Sequence, residues 1–398
     1  MLFLHSKNEH FHTMINKFEH IRPYNETEAV EAIGKLLANQ EFVKILYHFR
    51  DVIDMDTIVD EAKKSRSIHQ FHLAFSKPVL NYFLDKTTTK IVYSGIENVR
   101  FPQPHIFIAN HRDIVLDSSI LQNYFFNTGF QATKTAIGDN LISGVPFLTE
   151  FARLNKTFLV LRSATLHEKI NNLHLLSDYI NYSLFTENES VWIAQRNGRT
   201  KDGFDSTQQG LIKMLAICSK EPPLNYLKKV NLTPVTISYE YEPCDKLKAK
   251  ELALSEEGEY IKQPQEDFNS IKQGILDYKG EVHLAIGKPV IEELDAIPHF
   301  LNNNDKLFEV CKLIDQQIYQ NYHLTKNNYI AFDYQKQSAQ FSGFYTEEDK
   351  AKFLQYLQQQ SIVEDVSPEK MIHYLLEIYA NPVKTKFGYP IEKKEDTD

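Results

Sequence analysis

The segment IFIANHRDIVLDSSIL (residues 106–121) places a cluster of titratable side chains directly after an apolar run. The run gives way to a base, a cation and a carboxylate, which are His111, Arg112 and Asp113. A second carboxylate, Asp117, stands where an amphipathic helical pattern begins. Short continuous apolar runs are typical of strands buried on both faces of a parallel sheet. Because open α/β sheets bind ligands beyond the carboxyl ends of such strands, the pattern predicts a functional site here.

Apolar runs of strand length alternate with helical patterns through the middle of the chain. The strand-like runs lie at 90–99, 105–110, 157–163, 190–195, 231–241 and 280–290, and the main helical patterns at 29–49, 168–185, 207–218 and 267–277. This alternation predicts an α/β fold with a mostly parallel mixed sheet flanked by helices. We therefore predict a helical N-terminal region over 1–85, an α/β domain over 86–303 and a helical C-terminal region over 304–398.

The composition is that of an ordinary globular protein, with 398 residues, 42% of them apolar and 24% charged. A formal net charge of −9 argues against a general nucleic-acid binder, which would carry a basic face. The three cysteines have no paired spacing, so the sequence predicts neither a metal site nor a disulfide framework, and a reducing cytoplasm fits. No run approaches the roughly 18 apolar residues of a membrane span, and the first residues lack a secretory pattern. Any membrane contact is therefore predicted to be peripheral.

A histidine at the end of a buried strand suits general-base chemistry, because its imidazole can accept a proton from a hydroxyl near neutral pH. A neighbouring carboxylate would fix its tautomer and stabilise the imidazolium that forms. Asp113 and Asp117 are both placed to do this for His111. Two purely structural interpretations stay open: Asp117 could cap the following helix, and His111 could be a satisfied buried histidine.

Further segments follow in a fixed order. They are KTFLVLRS (156–163) with Arg162, VWIAQRNGRTKDG (191–203) with Gly198 and Arg199, LTPVTISYEYEPCDKLKAKEL (232–252) with Pro234, and LAIGKPV (284–290). Together with His111 and Asp117, they resemble the ordered sequence blocks of the glycerolipid acyltransferase superfamily. The closest resemblance is to the bacterial glycerol-3-phosphate and dihydroxyacetone-phosphate acyltransferases, and it covers about residues 95–300. The resemblance makes the 86–303 unit an acyltransferase domain with a glycerol-3-phosphate acyltransferase-like fold.

The resemblance implies an enzyme of phospholipid biosynthesis that transfers a fatty acyl group from acyl-CoA or acyl carrier protein to a glycerol-phosphate hydroxyl. His111 would be the general base and Asp117 its partner. No metal or other cofactor is implied, and the protein would lie in the cytoplasm, peripheral to the inner face of the membrane. Residues implied to bind substrate are Arg112, Arg162, Asn197, Gly198, Arg199, Thr200, Lys201 and Pro234.

Two departures from the family pattern keep other functions open. Five residues separate His111 from Asp117 where the family has four, and Asn197 stands where the family has a glutamate. One alternative within the class is an acyltransferase acting on 1-acylglycerol-3-phosphate or another lysolipid, or on an amino-acid-based lipid. An alternative of another class is a lipid-binding protein that kept the fold without catalysis.

Overall fold

A computed structural model describes residues 17–50, 53–100, 102–142, 145–162, 165–256, 258, 260–263 and 265–391. The predictions for the two ends of the chain, concerning a secretory signal and the extreme C-terminus, rest on residues 1–16 and 392–398 and lie outside this description.

The N-terminal helices pack around a small apolar core, which includes Phe42, Phe71 and Phe75 and is shared with Phe147 and Leu154 farther along the chain. They are α1 (Ala29–Ala38), α2 (Gln40–Tyr47), α3 (Met55–Lys64), α4 (Ile68–Phe71), a π-helical turn (His72–Ser76) and α5 (Lys77–Thr87). The single helical pattern predicted over 29–49 is divided at Asn39. The Asn39 backbone is extended and its side chain accepts hydrogen bonds from the first amides of α2, so it ends one helix and caps the next.

Seven strands form one sheet in the order β1-β7-β6-β2-β5-β3-β4. The strands are β1 (Thr88–Ser94), β2 (Ile106–Ala109), β3 (Lys134–Gly138), β4 (Thr157–Val160), β5 (Val191–Ala194), β6 (Leu232–Tyr239) and β7 (Gly280–Ile286). Strands β6, β2, β5, β3 and β4 are mutually parallel, whereas β7 is antiparallel to β6. The prediction of a mostly parallel mixed sheet flanked by helices is confirmed. Because β1 and β7 belong to this sheet, the α/β unit extends at least from β1 to β7; the exact boundaries stay a prediction.

Helices cover both faces of the sheet. They are α6 (Leu116–Thr128), α7 (Pro146–Leu154), α8 (Leu166–Phe185), α9 (Gln209–Ala216), α10 (Pro223–Lys229), α11 (Asp245–Ser255), α12 (Glu266–Leu276) and α13 (Ile291–Asp295). One face packs Ile106 and Ile108 of β2 against α8, α9 and α10. The other packs Phe107 against α6. All four residues of β2 are buried, as a continuous apolar strand between two helical layers requires.

The C-terminal region is helical, as predicted, and contains α14 (Asn303–Asn321), α15 (Lys326–Lys336), α16 (Glu347–Gln360) and α17 (Pro368–Phe387). A polar contact joins this region to the α/β unit at Asp245, the first residue of α11. The hydroxyls of Tyr356 and Tyr379 each donate to Asp245 Oδ2 over 2.7 Å. Burial of Asp245 raises its pKa to about 6, although both hydroxyl donors act in the opposite direction.

Because the pKa of Asp245 is raised, its contribution to the free energy of unfolding decreases as pH rises. Between the ordinary value of 3.8 and about 6, the folded protein binds more protons here than the unfolded chain, so this stabilisation is present at low pH and lost as pH rises. Asp245→Asn removes the group. The free energy of unfolding of this variant, measured relative to wild type, should therefore increase by about 2 kcal/mol between pH 4 and pH 7. Urea titrations across this range measure the difference, and the exposed Asp60→Asn variant is the control; a pH-independent difference for Asp245→Asn would contradict the assignment.

Candidate active site

His111 lies just beyond the carboxyl end of β2, with its ring at the surface of the sheet edge. The preceding residue fixes its position: Asn110 accepts a hydrogen bond from Ile237 N (2.8 Å) and donates one to Ile237 O (3.0 Å), which ties the end of β2 to β6. The His111 ring contacts the Trp192 ring edge-on at 5.8 Å. Its side chain keeps 13% of its surface exposed, so the ring is held by protein on one side and accessible on the other.

The carboxylate that contacts the His111 imidazole is Asp117. Its Oδ2 lies 2.9 Å from His111 Nδ1 and also accepts hydrogen bonds from the Arg112 and Asp113 amides, at 2.6 and 2.9 Å. The Tyr239 hydroxyl donates to Oδ1 over 2.8 Å. Four donors thus surround one carboxyl group. If Nδ1 carries the hydrogen that faces Asp117, Nε2 is left as an acceptor, which is the tautomer of a general base.

Asp113 has the capping function that the sequence had offered for Asp117. Its Oδ1 accepts from the amides of Val115 and Leu116, at 2.9 and 2.7 Å, and so satisfies the first turn of α6. Burial and the nearby Asp117 raise the pKa of the Asp113 carboxyl. The extra residue between histidine and aspartate is accommodated by this turn, and Asp117, now inside the helix, points back to His111.

The loop after β5 passes beside His111. Thr200 N donates to His111 O over 2.7 Å, which connects the two segments through their main chains. Gly198 and Gly203 have φ angles of +74° and +78°, a backbone region that favours glycine, so this turn requires glycine at both positions. The Asn197 side chain is exposed at the tip of the loop.

The Arg199 guanidinium has an unusual environment. Its Nη1 atom is buried, and among the described residues it has no hydrogen-bond partner. The group lies close enough to Asp113 to lower the pKa of that carboxyl, against the larger raising effect of burial. A buried charged donor without an acceptor is costly, and an anion is the ligand that would satisfy it.

Arg162 follows β4 and is exposed on the same edge of the sheet. Three strand spacings separate β4 from β2, about 14 Å at the usual distance between neighbours. The Arg162 amide donates to Asp139 Oδ1 over 3.0 Å, and its guanidinium lies against Gly138 at the end of β3. The structure thus places Arg162 at the edge that carries His111, but not in contact with the histidine.

The other residues predicted to bind substrate have protein partners. Arg112 is 4% exposed and its guanidinium donates to Asp205 (2.6 Å) and Glu242 (3.4 Å). Lys201 pairs with Glu251, and Thr200 is buried. Pro234 lies within β6, opposite Ile108 of β2. Substrate contact by these four residues, and by Asn197 and Gly198, stays a prediction, and none of the six is needed in the function proposed below.

Sequence reasoning missed several buried polar residues behind the loop. Asp205 and Tyr322 were not selected, and Tyr239 was noted only as part of the resemblance to the family. Asp205 follows the loop motif in GFDS, and an aspartate after Gly-Phe carries no signature of its own. Apart from Thr200, its side-chain partners come from segments more than 90 positions away in either direction, so no local pattern could reveal them.

Among the described residues, no group of three or more His, Cys, Asp or Glu side chains is arranged to hold a metal ion. In the same residues, no helix has the length and apolar character needed to cross a membrane.

A histidine–carboxylate pair at the carboxyl ends of parallel strands is an arrangement suited to general-base chemistry on an α/β fold. Residues 90–238 match the family model of the acyltransferases, described as Acyltransferase. This match spans rather more than a third of the chain, and it confirms the predicted resemblance to an acyltransferase domain.

No curated protein matches the sequence. Among solved structures, the chain is similar to the 1-acyl-sn-glycerophosphate (LPA) acyltransferase of Thermotoga maritima, with 13% sequence identity and a TM-score of 0.37. That similarity covers 67% of this chain and 90% of the other. The assignment of the domain rests on the sequence match of residues 90–238.

Proposed function

We propose that this protein transfers a fatty acyl group from a thioester, acyl-CoA or acyl carrier protein, to a hydroxyl of a glycerol phosphate. The observation that carries the proposal is the His111–Asp117 pair, with a contact of 2.9 Å inside an acyltransferase domain. A lipid-binding protein without catalysis would have no use for a buried carboxylate that accepts four hydrogen bonds while it holds an accessible imidazole.

The proposed reaction uses His111 Nε2 as the base. Nε2 takes the proton of the acceptor hydroxyl while that oxygen attacks the thioester carbonyl, and the imidazolium later returns the proton to the departing thiolate. Asp117 stabilises the imidazolium by charge and holds the ring through Nδ1. A general base contributes roughly 10²- to 10⁴-fold to the rate, so positioning of the acceptor must supply much of the remainder.

The acceptor phosphate is proposed to bind Arg199, with Arg162 on its far side. Arg199 supplies a buried guanidinium nitrogen that lacks a partner among the described residues, next to the loop that contacts His111. Arg162 is exposed at the same sheet edge. Because arginine side chains are long and match phosphate oxygens in pairs, two of them can converge on one phosphate between the strand ends.

An acceptor screen tests the proposal. Purified protein is incubated with radiolabelled acyl-CoA or acyl carrier protein and with glycerol 3-phosphate, dihydroxyacetone phosphate, a 1-acylglycerol 3-phosphate or glycerol. We expect labelled ester with a phosphate-bearing acceptor and little with glycerol. The 1-acylglycerol 3-phosphate arm separates a lysolipid acceptor from a soluble one. Absence of ester with every acceptor, in protein that binds lysolipid vesicles, would instead support the non-catalytic lipid-binding protein.

Contact with the membrane surface is proposed through the first turns of α8, a helix that begins four residues after Arg162. Leu166, Ile170 and Leu173 are 74%, 47% and 43% exposed and share one face of the helix. An apolar stripe beside a site for lipid chemistry suits insertion into the bilayer interface. The net charge of −9 argues against attachment to anionic lipid by charge alone.

The stripe gives a testable expectation for vesicle binding. Changing Leu166, Ile170 and Leu173 together to serine should lower cosedimentation with phosphatidylglycerol-containing vesicles about tenfold or more, because each buried apolar side chain contributes more than 1 kcal/mol. Ile362→Ser is the control, since Ile362 is 72% exposed but lies in the C-terminal region. Raising the salt concentration should weaken binding of the wild type only modestly. Equal losses in the triple variant and the control would contradict this surface.

A further inference from the structure

A single buried carboxylate, Asp205, lies behind the 196–203 loop and gathers hydrogen bonds from three separate segments. Asn110 Nδ2, Arg112 Nη2 and the Tyr322 hydroxyl donate to its Oδ2 at 2.9, 2.6 and 2.6 Å. The Thr200 hydroxyl donates to its Oδ1 at 2.5 Å. These donors come from the segment after β2, the loop after β5 and the residue that follows α14. Asp205 thus connects parts of the chain that nothing in the local sequence holds together.

The charges around Asp205 are balanced, which allows a carboxylate to be this deeply buried. Burial alone would raise its pKa, but Arg112 and the hydroxyl and amide donors more than offset that effect, and the pKa lies below its ordinary value. Arg112 also pairs with Glu242, and Lys248 donates to Glu242 Oε1 over 2.5 Å. Two cations thus face two carboxylates. Removing one member leaves its partner buried without compensation, which is strongly destabilising.

The residues that Asp205 contacts are themselves bonded to, or adjacent to, the proposed general base and the proposed phosphate-binding arginine. Thr200, which it holds by the hydroxyl, donates its amide to His111 O and directly follows Arg199. Arg112, which it holds by the guanidinium, donates its amide to Asp117. The distance between the phosphate-binding arginine and the general base therefore depends on where Asp205 holds these two neighbours.

Two C-terminal helices, which lie outside the residues that match the family model, contact Asp205 and the 196–203 loop. Tyr319 of α14 donates its hydroxyl to the main-chain oxygen of Asp205. Helix α17 packs directly on the loop: a Cβ added to Gly203 would lie 2.2 Å from the Ile378 oxygen, and Asn381 Nδ2 donates to Asp202 O over 2.8 Å. The C-terminal helices are thus in contact with the loop that carries Arg199.

We propose that Asp205 is a positioning residue that holds Arg199 at a fixed place relative to His111. Tyr322 links Asp205 to the C-terminal region. The proposal rests on the function proposed above for Arg199 and His111. Asp205 contacts neither the histidine nor any open surface, so its effect is on the placement of the acceptor and not on proton transfer.

The variant Tyr322→Phe tests this with the smallest structural change, since it removes one hydroxyl and keeps the ring. We expect the KM for glycerol 3-phosphate to rise about five- to twentyfold, because a hydrogen bond to a charged group is worth about tenfold or more in an equilibrium. The KM for the acyl donor and the pH profile of kcat should not change, since His111 and Asp117 keep their contacts. Tyr226→Phe is the matched control: Tyr226 is a buried tyrosine whose hydroxyl donates to Asn181, away from the site.

Hydrogen–deuterium exchange provides a second measurement that does not need activity. Residues 196–203 should exchange faster in Tyr322→Phe than in wild type, whereas Tyr226→Phe should leave this loop unchanged. Asp205→Asn should have the same effects in larger degree, and Tyr322→Phe remains the deciding variant if Asp205→Asn does not fold.

The outcomes separate the two proposals. An active wild type, with neither KM nor loop exchange altered by Tyr322→Phe, would overturn the positioning role and leave the proposed function standing. Equal changes in the KM values of both substrates would also overturn it, because they indicate a general loss of structure. If the wild type acylates no phosphate-bearing acceptor, the proposed function fails, and the exchange of residues 196–203 still decides whether Asp205 and Tyr322 hold the loop.

Discussion

Replacing His111 by alanine is expected to lower kcat for acyl transfer by about 10²- to 10⁴-fold, the usual contribution of a general base. The fold should persist, because the imidazole is at the sheet edge and Asp117, the carboxylate that it contacts, keeps three other donors. Circular dichroism and turnover measured on the same preparation test both statements. His299→Ala, at an exposed histidine, is the control. A folded His111→Ala protein with full turnover would exclude the proposed mechanism.

The two aspartates near His111 offer a sharper comparison. Asp117→Asn should lose most of the activity, because an amide can neither stabilise the imidazolium by charge nor fix the tautomer in the same way. Asp113→Asn should keep most of the activity and change the free energy of unfolding little, since the asparagine Oδ1 can accept the same two amide hydrogen bonds at the first turn of α6. If Asp113→Asn lost more activity than Asp117→Asn, the assignment of the two carboxylates would be reversed.

How far the sequence predicted the site depended on how local each contact is. His111 and Asp117 are close in the sequence. The pattern of an apolar strand, a histidine and the start of a helix was therefore enough to predict their contact. By contrast, Arg112 and Asp205 are in contact although more than 90 positions separate them in the sequence, and Tyr322 is even farther from Asp205. The pairing of the Arg112 guanidinium with Asp205 and Glu242 is likewise not visible in the local sequence, and the substrate contact of Arg112 stays a prediction.

The strands of the sheet also differ in how well the local sequence predicts them. Strands with continuous apolar runs, such as β2 and β5, were predicted, whereas β3 was missed. Strand β3 begins with Lys134 and Thr135, whose polarity hides it, yet both residues are buried. Lys134 is compensated there by Ser183, Glu187 and Glu189, which belong to the end of α8 and the turn after it. A strand of this kind can be recognised only when its distant partners are known.

Arg199→Ala is expected to raise the KM for glycerol 3-phosphate about ten- to a hundredfold, while the KM for the acyl donor changes little. The physical reason is the loss of a charge-assisted hydrogen bond to the phosphate, which contributes roughly 1.5 to 3 kcal/mol. In the wild type, Nη1 of this guanidinium is buried without a hydrogen-bond partner among the described residues, which makes it the donor proposed for the phosphate. Arg199→Lys should rescue only partly, because a point charge replaces a planar pair of donors. Arg66→Ala, at an exposed arginine on the N-terminal helices, is the control.

Uncharged glycerol isolates the contribution of the phosphate in this prediction. Wild type should prefer glycerol 3-phosphate strongly, and Arg199→Ala should remove most of that preference by raising the KM of the phosphorylated acceptor alone. Asn197 provides a second test of the phosphate. The loop carries one carboxylate fewer than the family pattern, so Asn197→Glu should weaken acceptor binding through repulsion of the phosphate. Equal reaction of both acceptors in wild type, unaffected by Arg199→Ala, would show that Arg199 binds no phosphate and that the acceptor is a different alcohol or an amine-bearing lipid.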